Sequence, residues 1–210
     1  MTTSVLTMAR VPPELAGNPD RLRWNDRYGS ASYAPSFAPH PVAELALGMP
    51  LVAGPVLDLA CGPSGSVLLA AERGRSVVAV DVSEVALGLL VAEARRRHLA
   101  QLISAVQADL TAWQPGPQAY ALVLCTGYWD RAVFAVAAGL VVPGGLLAWE
   151  ALTREARRAH PRLPAEWCLA PGEPGSLLPP DFEVISQQDV RPESAVRRRL
   201  LARRLTLQPC

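Results

Sequence analysis

The sequence contains no lysine: all twenty of its basic residues are arginine, and against nineteen Asp and Glu they leave a net charge of +1 over 210 residues. That is far from the basic excess with which proteins hold a phosphate backbone, so nucleic acid is not the expected partner. Cysteine is scarce and scattered, at 61, 125, 168 and 210, with neither the paired spacing of a zinc site nor a secretory leader that would point to an oxidising compartment. A reduced, cytoplasmic setting is expected. The three histidines, His40, His98 and His160, share no ligand spacing, so no metal is expected. Long apolar runs are missing too. Ala132 to Val142 stops at Pro143, short of the roughly 18 residues of a membrane span. There is no internal repeat and nothing that fixes an oligomeric state. What is there, 50% hydrophobic and 19% charged residues, is the composition of a soluble chain with one main core.

A Pro-rich opening up to about Pro55 gives way to a regular middle, followed by a second Pro-rich stretch from Pro161 to Pro180. Within the middle, apolar runs of strand length recur at Pro55 to Ala60, Ser76 to Asp81, Leu102 to Ala108, Ala119 to Cys125 and Gly145 to Glu150. Their near-continuous apolarity, as in Val77-Val78-Ala79-Val80, is what strands covered on both faces require, and such strands belong to parallel sheets. Between them, Ser83 to His98 reads as a helix, with Ser83 as cap, Glu84 in the first turn and arginines in the last. Gly65 to Arg73 and Trp129 to Leu140 read likewise, and Val142-Pro143-Gly144-Gly145 suits a type II turn. Phe182 to Val190 and Ala195 to Leu207 are expected as closing strands. The alternation predicts an α/β, doubly wound, Rossmann-like fold with helices on both faces of a mostly parallel sheet, expected to have seven strands with the last one antiparallel. Residues 1–50 are expected as a helical cap or lid, and residues 51–210 as the single domain.

In such a sheet ligands lie beyond the carboxyl ends of the strands. Val56-Leu57-Asp58-Leu59-Ala60-Cys61-Gly62-Pro63-Ser64-Gly65 is a strand running into a tight turn and a helix. A dinucleotide pyrophosphate needs G-x-G-x-x-G and free N–H groups at the helix start. Here only Gly62 and Gly65 remain, Pro63 has no N–H, and Asp58 adds negative charge, so the loop suits a ligand without phosphates and disfavours a nicotinamide dinucleotide. Asp81 ends the second strand, where a carboxylate can accept from both ribose hydroxyls of an adenosine. Asp109 ends the third, placed to accept from an adenine amino group while the Leu110 N–H donates to the ring. Each acid alone also fits a turn or cap. Together they read as an adenosine socket.

These residues resemble the class I S-adenosylmethionine-dependent methyltransferases. Leu57-Asp58-Leu59-Ala60-Cys61-Gly62 is similar to their first motif, Val80-Asp81-Val82-Ser83 to the second, Ala108-Asp109-Leu110 to the adenine motif, and Val142-Pro143-Gly144-Gly145-Leu146-Leu147 to the turn into the fifth strand. The flanks Trp24-Asn25-Asp26-Arg27-Tyr28 and Gly172-Glu173-Pro174-Gly175-Ser176-Leu177-Leu178 resemble the tellurite-resistance and thiopurine type of small-molecule methyltransferase. The resemblance implies S-adenosylmethionine as cofactor, held by Trp24, Tyr28, Asp58, Ala60, Cys61, Gly62, Pro63, Ser64, Asp81, Val82, Asp109, Leu110, Cys125 and Thr126. The family's loop usually carries glycine where this chain has Ala60 and Ser64, and the Ser64 change bears on which backbone N–H meets the cofactor's carboxylate.

Methyl transfer from a sulfonium is an in-line displacement, and positioning alone supplies roughly 7 to 11 kcal/mol, so the lack of a catalytic triad excludes nothing. The acceptor, a small molecule, is expected above the end of the fourth strand, at Cys125-Thr126-Gly127-Tyr128-Trp129-Asp130-Arg131, which lacks the Asn/Asp-Pro-Pro-aromatic motif of base-amino methyltransferases. Tyr128 and Trp129 either wall the substrate and face the sulfonium or simply pack the top of the sheet. Glu150 either accepts a substrate proton or is a solvent-facing turn acid. Trp24, Arg27 and Tyr28 belong either to a lid or to a helix docked by Trp24. The alternative to an enzyme is a noncatalytic protein of the same fold. Arg197-Arg198-Arg199 and Arg203-Arg204 alternate across a strand and are expected to protect an exposed edge.

Overall fold

The β-branched and aliphatic runs do form strands, and they pair into one sheet. The computed structural model describes residues 11–191 and 195–206, so Cys210 and the end of the expected last strand at Leu207 lie outside the described residues. Seven strands are present: β1 (Val56–Leu59), β2 (Val77–Asp81), β3 (Ile103–Gln107), β4 (Tyr120–Thr126), β5 (Val141–Leu152), β6 (Phe182–Val190) and β7 (Arg197–Arg204). Their order in the sheet is β3-β2-β1-β4-β5-β7-β6. β1 to β5 pair in parallel, and β7 runs antiparallel to both its neighbours. This is the doubly wound, mostly parallel architecture that the alternation predicts, with β1 and β4 flanking the point where the strand order reverses.

Among the described residues, five α-helices accompany the sheet: α1 (Pro19–Gly29), α2 (Pro41–Gly48), α3 (Gly65–Glu72), α4 (Glu84–Arg96) and α5 (Arg131–Gly139). Four of them start on a side chain that accepts from the backbone three positions on, namely Asn18 from Arg21, Ser64 from Val67, Ser83 from Ala86 and Asp130 from Val133. The Asp130 cap is why the last helix begins at Arg131 rather than at Trp129. One core lies under α2, α3 and α4, built on Leu68, Leu90, Leu122, Leu124 and Leu146. The other lies under α5, where Phe134, Trp129 and Trp149 meet edge to face or tilted, with ring centroids 5.1 to 6.2 Å apart. Of the segment expected as a lid, α1 buries no side chain, whereas α2 buries Val42, Ala43, Ala46 and Leu47.

Two expectations are corrected. The arginine-rich strand β7 is no edge: it lies between β5 and β6, and β6 forms the edge. Its arginines instead bond inward, Arg204 to Asp181 and the Val141 carbonyl, Arg203 to the Gly144 carbonyl and Arg198 to Asp189. The fifth strand also starts earlier than expected. It opens at Val141 opposite Tyr120 and resumes at Leu146 opposite Leu122, with the Pro143-Gly144 turn bulging between, Gly144 at φ +80°.

Candidate functional site

The loop after β1 is built by two residues in the left-handed region, Ala60 (φ +49°) and Gly62 (φ +58°). The first is where related loops carry glycine; alanine adopts this conformation at a cost of about 1 kcal/mol. Ser64 then caps α3 and donates its hydroxyl to Asp58 Oδ2 at 2.8 Å. The glycine falls one place later because the chain at Phe37 and Ala38 crosses there: a Cβ on Gly65 would stand 2.4 Å from the Phe37 carbonyl oxygen. Ser64 therefore joins the loop to its acid, and Gly65 admits the crossing segment.

Asp58 is buried, and desolvation pushes its carboxyl up to about 7 despite the Ser64 hydrogen bond. Its Oδ1 has no partner. Among the described residues, the buried side-chain polar atoms without one are this oxygen and His40 Nδ1. Asp81, at the end of the adjacent strand, accepts from the Gly62 N–H through Oδ2 and from the Ser83 N–H through Oδ1, each at 2.8 Å. Burial raises its pKa against these bonds. Cys61 and Cys125 are buried thiols pushed up by desolvation, and Cys125 turns to the α5 side, its Sγ against the Tyr128 carbonyl.

Helix α1 lies across this end of the sheet. Asn18, its cap, donates its amide to Asp109 Oδ2 at 2.8 Å, while Thr111 donates its N–H and hydroxyl to Oδ1. Burial would raise the Asp109 pKa, but the Thr111 and Asn18 bonds outweigh it and hold it low. Arg21 and Asn25 both reach Glu84 at the start of α4, and the Ser83 hydroxyl donates to Asn25 Oδ1. Further along, Tyr28 stacks on Trp24 and sets its hydroxyl 3.0 Å from where a Cβ on Gly62 would lie. Arg23 stands between the rings of Trp24 and Trp167, tying α1 to the segment after β5. Leu110 packs half-buried beside Asp109, and Val82 leads from Asp81 to the cap of α4.

On the other side of the reversal point, β4 ends at Thr126, which pairs with Glu150 of β5, and the Gly127 N–H donates to the Glu150 carbonyl. Trp129 is buried between Phe134 and Trp149, so of its two readings the structure gives core packing; Tyr128 remains half-buried at the strand end. Of the two readings of Glu150, the structure removes the solvent-facing turn acid. The residue is 1% exposed, and His40 Nε2 (3.1 Å), Arg199 Nε and Arg197 Nη1 (3.8 Å) surround it. Burial would raise its pKa, but the His40 and Arg199 bonds keep it below the usual value. The strand ends thus gather Asp58, Gly62, Asp81 and Asp109 on one side and Thr126, Gly127 and Glu150 on the other. His40, Arg197 and Arg199 escape sequence reasoning, although the i, i+2 spacing of the two arginines puts them on one face of a strand.

Residues 56–145 match a family model described as a methyltransferase domain. No curated protein matches the chain significantly by sequence. Among solved structures, the chain is similar to TehB from Haemophilus influenzae (18% identity, 88% of this chain and 66% of that one, TM-score 0.62). It is also similar to the CcbJ methyltransferase from Streptomyces caelestis (18% identity, 87% of this chain and 96% of that one, TM-score 0.61). A third is the N-methyltransferase NodS from Bradyrhizobium japonicum WM9 in complex with S-adenosyl-L-homocysteine (16% identity, 94% of each chain, TM-score 0.61). At these identities the structures share the fold. Among the described residues no helix is long and apolar enough to cross a membrane, and no cluster of three or more His, Cys, Asp or Glu side chains is placed to hold a metal.

Proposed function

The chain carries a class I S-adenosylmethionine-dependent methyltransferase domain, and from that premise we propose that it methylates a small-molecule acceptor. The observation that carries this reading is the row of acids Asp58, Asp81 and Asp109 at the ends of or just beyond three neighbouring strands, with Asp58 Oδ1 buried and lacking a donor. A cofactor that brings its own cationic group fits that oxygen and restores the carboxylate form that burial disfavours. When bound, it supplies a methyl group on a positively charged sulfur.

The chain's residues then bind and orient. Each oxygen of Asp81 holds one backbone N–H and keeps capacity to accept a ribose hydroxyl. Asp109 takes an amide N–H from Asn18, the same kind of donor that an adenine amino group presents, so adenine replaces Asn18 as α1 shifts. Trp24 and Tyr28 on α1 close over Ala60 to Ser64, and Tyr128 flanks the sulfur-bearing end. Free thiols at Cys61, Cys125 and Cys168 suit the reduced cytoplasm.

Calorimetric titration with S-adenosylhomocysteine and NADH tests this. The first is expected to bind and the second not to, and Asp81→Ala is expected to weaken the first at least about tenfold, the loss of charge-assisted hydrogen bonds. Unchanged affinity in that variant would remove Asp81 from the site. The Asn18–Asp109 contact favours one other reading, a noncatalytic protein of this fold, which predicts no S-adenosylhomocysteine binding by the wild type.

A further inference from the structure

Around Glu150 the sheet carries more positive charge than its own structure uses. Arg197 and Arg199 lie two apart on β7, so both face the side of the sheet on which Glu150 lies, Arg199 directly opposite it in register. One carboxylate therefore meets two guanidiniums, an excess of one positive charge. Only Arg199 is engaged closely. Arg197 stands 3.8 Å from Glu150 and, among the described residues, makes no closer polar contact. Its side chain is about one-third exposed, and its Nη1 lies 4.0 Å from where a Cβ on Gly127 would be. Gly127, at φ +91°, keeps that approach open at the strand end where the methyl acceptor belongs.

A second observation points to the same place. His40 is held by its Nε2 on Glu150 and by its backbone N–H on the Ser66 hydroxyl, yet its Nδ1 is buried with no partner. The arrangement is a guanidinium fork, that of Arg197, held loosely beside a buried carboxylate that Arg199 and His40 already engage.

We infer that the methyl acceptor is a small molecule bearing a single carboxylate, gripped by Arg197 with Arg199 and His40 beside it, above Gly127. The inference rests on the methyltransferase reading and names its substrate class. A guanidinium fork matches a carboxylate in two parallel hydrogen bonds, and one negative charge balances the excess of one. A phosphate dianion overshoots it. Tyr128 follows Gly127 at the same strand end and gives such an acid an aromatic neighbour. Arg197 is in this role a binding residue, and Glu150 positions it.

The test uses the full chain saturated with S-adenosylhomocysteine, titrated calorimetrically with benzoate, benzamide and inorganic phosphate. Benzoate is expected to bind and benzamide and phosphate not to. Arg197→Gln is expected to weaken benzoate about tenfold or more while S-adenosylhomocysteine affinity stays within about twofold, and Arg197→Lys, which keeps the charge but not the fork, to fall between. Arg96→Gln removes an equal charge from exposed α4 and is expected to leave benzoate binding as it is. Equal benzoate affinity in Arg197→Gln, equal binding of benzamide, preference for phosphate, or no benzoate binding by a chain that does bind S-adenosylhomocysteine each overturn the inference alone. Failure of the wild type to bind S-adenosylhomocysteine overturns the methyltransferase reading and this inference with it.

Discussion

Replacing Asp58 by Asn separates what the site costs the fold from what it gives the ligand. The Asp58 carboxyl rises from an ordinary 3.8 to about 7 because it is buried with only Ser64 to share its charge. An acid whose folded pKa is raised binds its proton more tightly in the folded state. Its contribution is therefore most favourable below the unfolded pKa, declines as pH rises towards the folded value, and is fully lost above it. A shift of this size corresponds to about 4 kcal/mol at pH 8, of which less than half is already lost at about pH 5. Asparagine keeps an oxygen for the Ser64 hydroxyl and does not titrate. Urea unfolding of both proteins at about pH 5 and pH 8 is therefore expected to show Asp58→Asn gaining about 3 kcal/mol relative to the wild type between the two conditions. Titrating groups that do not feel the Asp58 charge cancel in that difference. The same variant is expected to bind S-adenosylhomocysteine more weakly, and to lose the tightening with rising pH that the wild type shows as its carboxyl gives up a proton to meet a cation. A pH-independent stability difference between the two proteins would refute the burial argument, whatever the binding data showed.

Three further outcomes follow from the loop and the helix that lies across it. Ala60→Gly removes a Cβ from a left-handed residue and is expected to stabilise the chain by about 1 kcal/mol, a rise in melting temperature of about 2 to 4 °C by calorimetry. Gly65→Ala drives a methyl into the backbone at Phe37 and Ala38, and is expected to lower the unfolding free energy by about 3 kcal/mol in denaturant titration. Asn18→Ala frees Asp109 from its internal partner and is expected to tighten S-adenosylhomocysteine binding about fivefold in calorimetry, the worth of about 1 kcal/mol. Weaker binding in that variant would mean that Asn18 orders the site instead of competing for it.

Much of this was legible in the residues because parallel strands leave a strong local trace. Val77 to Val80 is apolar on both faces, and that alone placed β2; Ser83 announced its helix by capping chemistry. Asp81 and Asp109 are readable as acids at or just beyond strand ends because the apolar runs before them mark where β2 and β3 stop. Glu150 was visible as an acid at a strand end, but not its surroundings. His40, Arg197 and Arg199 come from an α2 cap more than a hundred positions upstream and a strand about fifty downstream, and no short-range pattern joins them. β7 was recognised as a strand and given the wrong place, since alternating charge looks the same on an edge as beside a buried acid. Trp129 was ambiguous for a similar reason: its neighbour Trp149 belongs to another strand.

The insertion of β7 between β5 and β6 also orders events in time. β6 emerges from synthesis before β7 yet touches the sheet only through it, so it has no hydrogen-bonding place until its successor arrives. Until then β5 presents an open flank, with the Glu150 carboxylate deprived of Arg199 and Arg197. The acids of β1 and β2, joined by local crossovers, require no such wait. The cationic fork around Glu150 therefore closes only when β7, the last strand of the sheet in chain order, pairs with β5. A chain paused before β7 would lack the strand that sets Arg199 opposite Glu150.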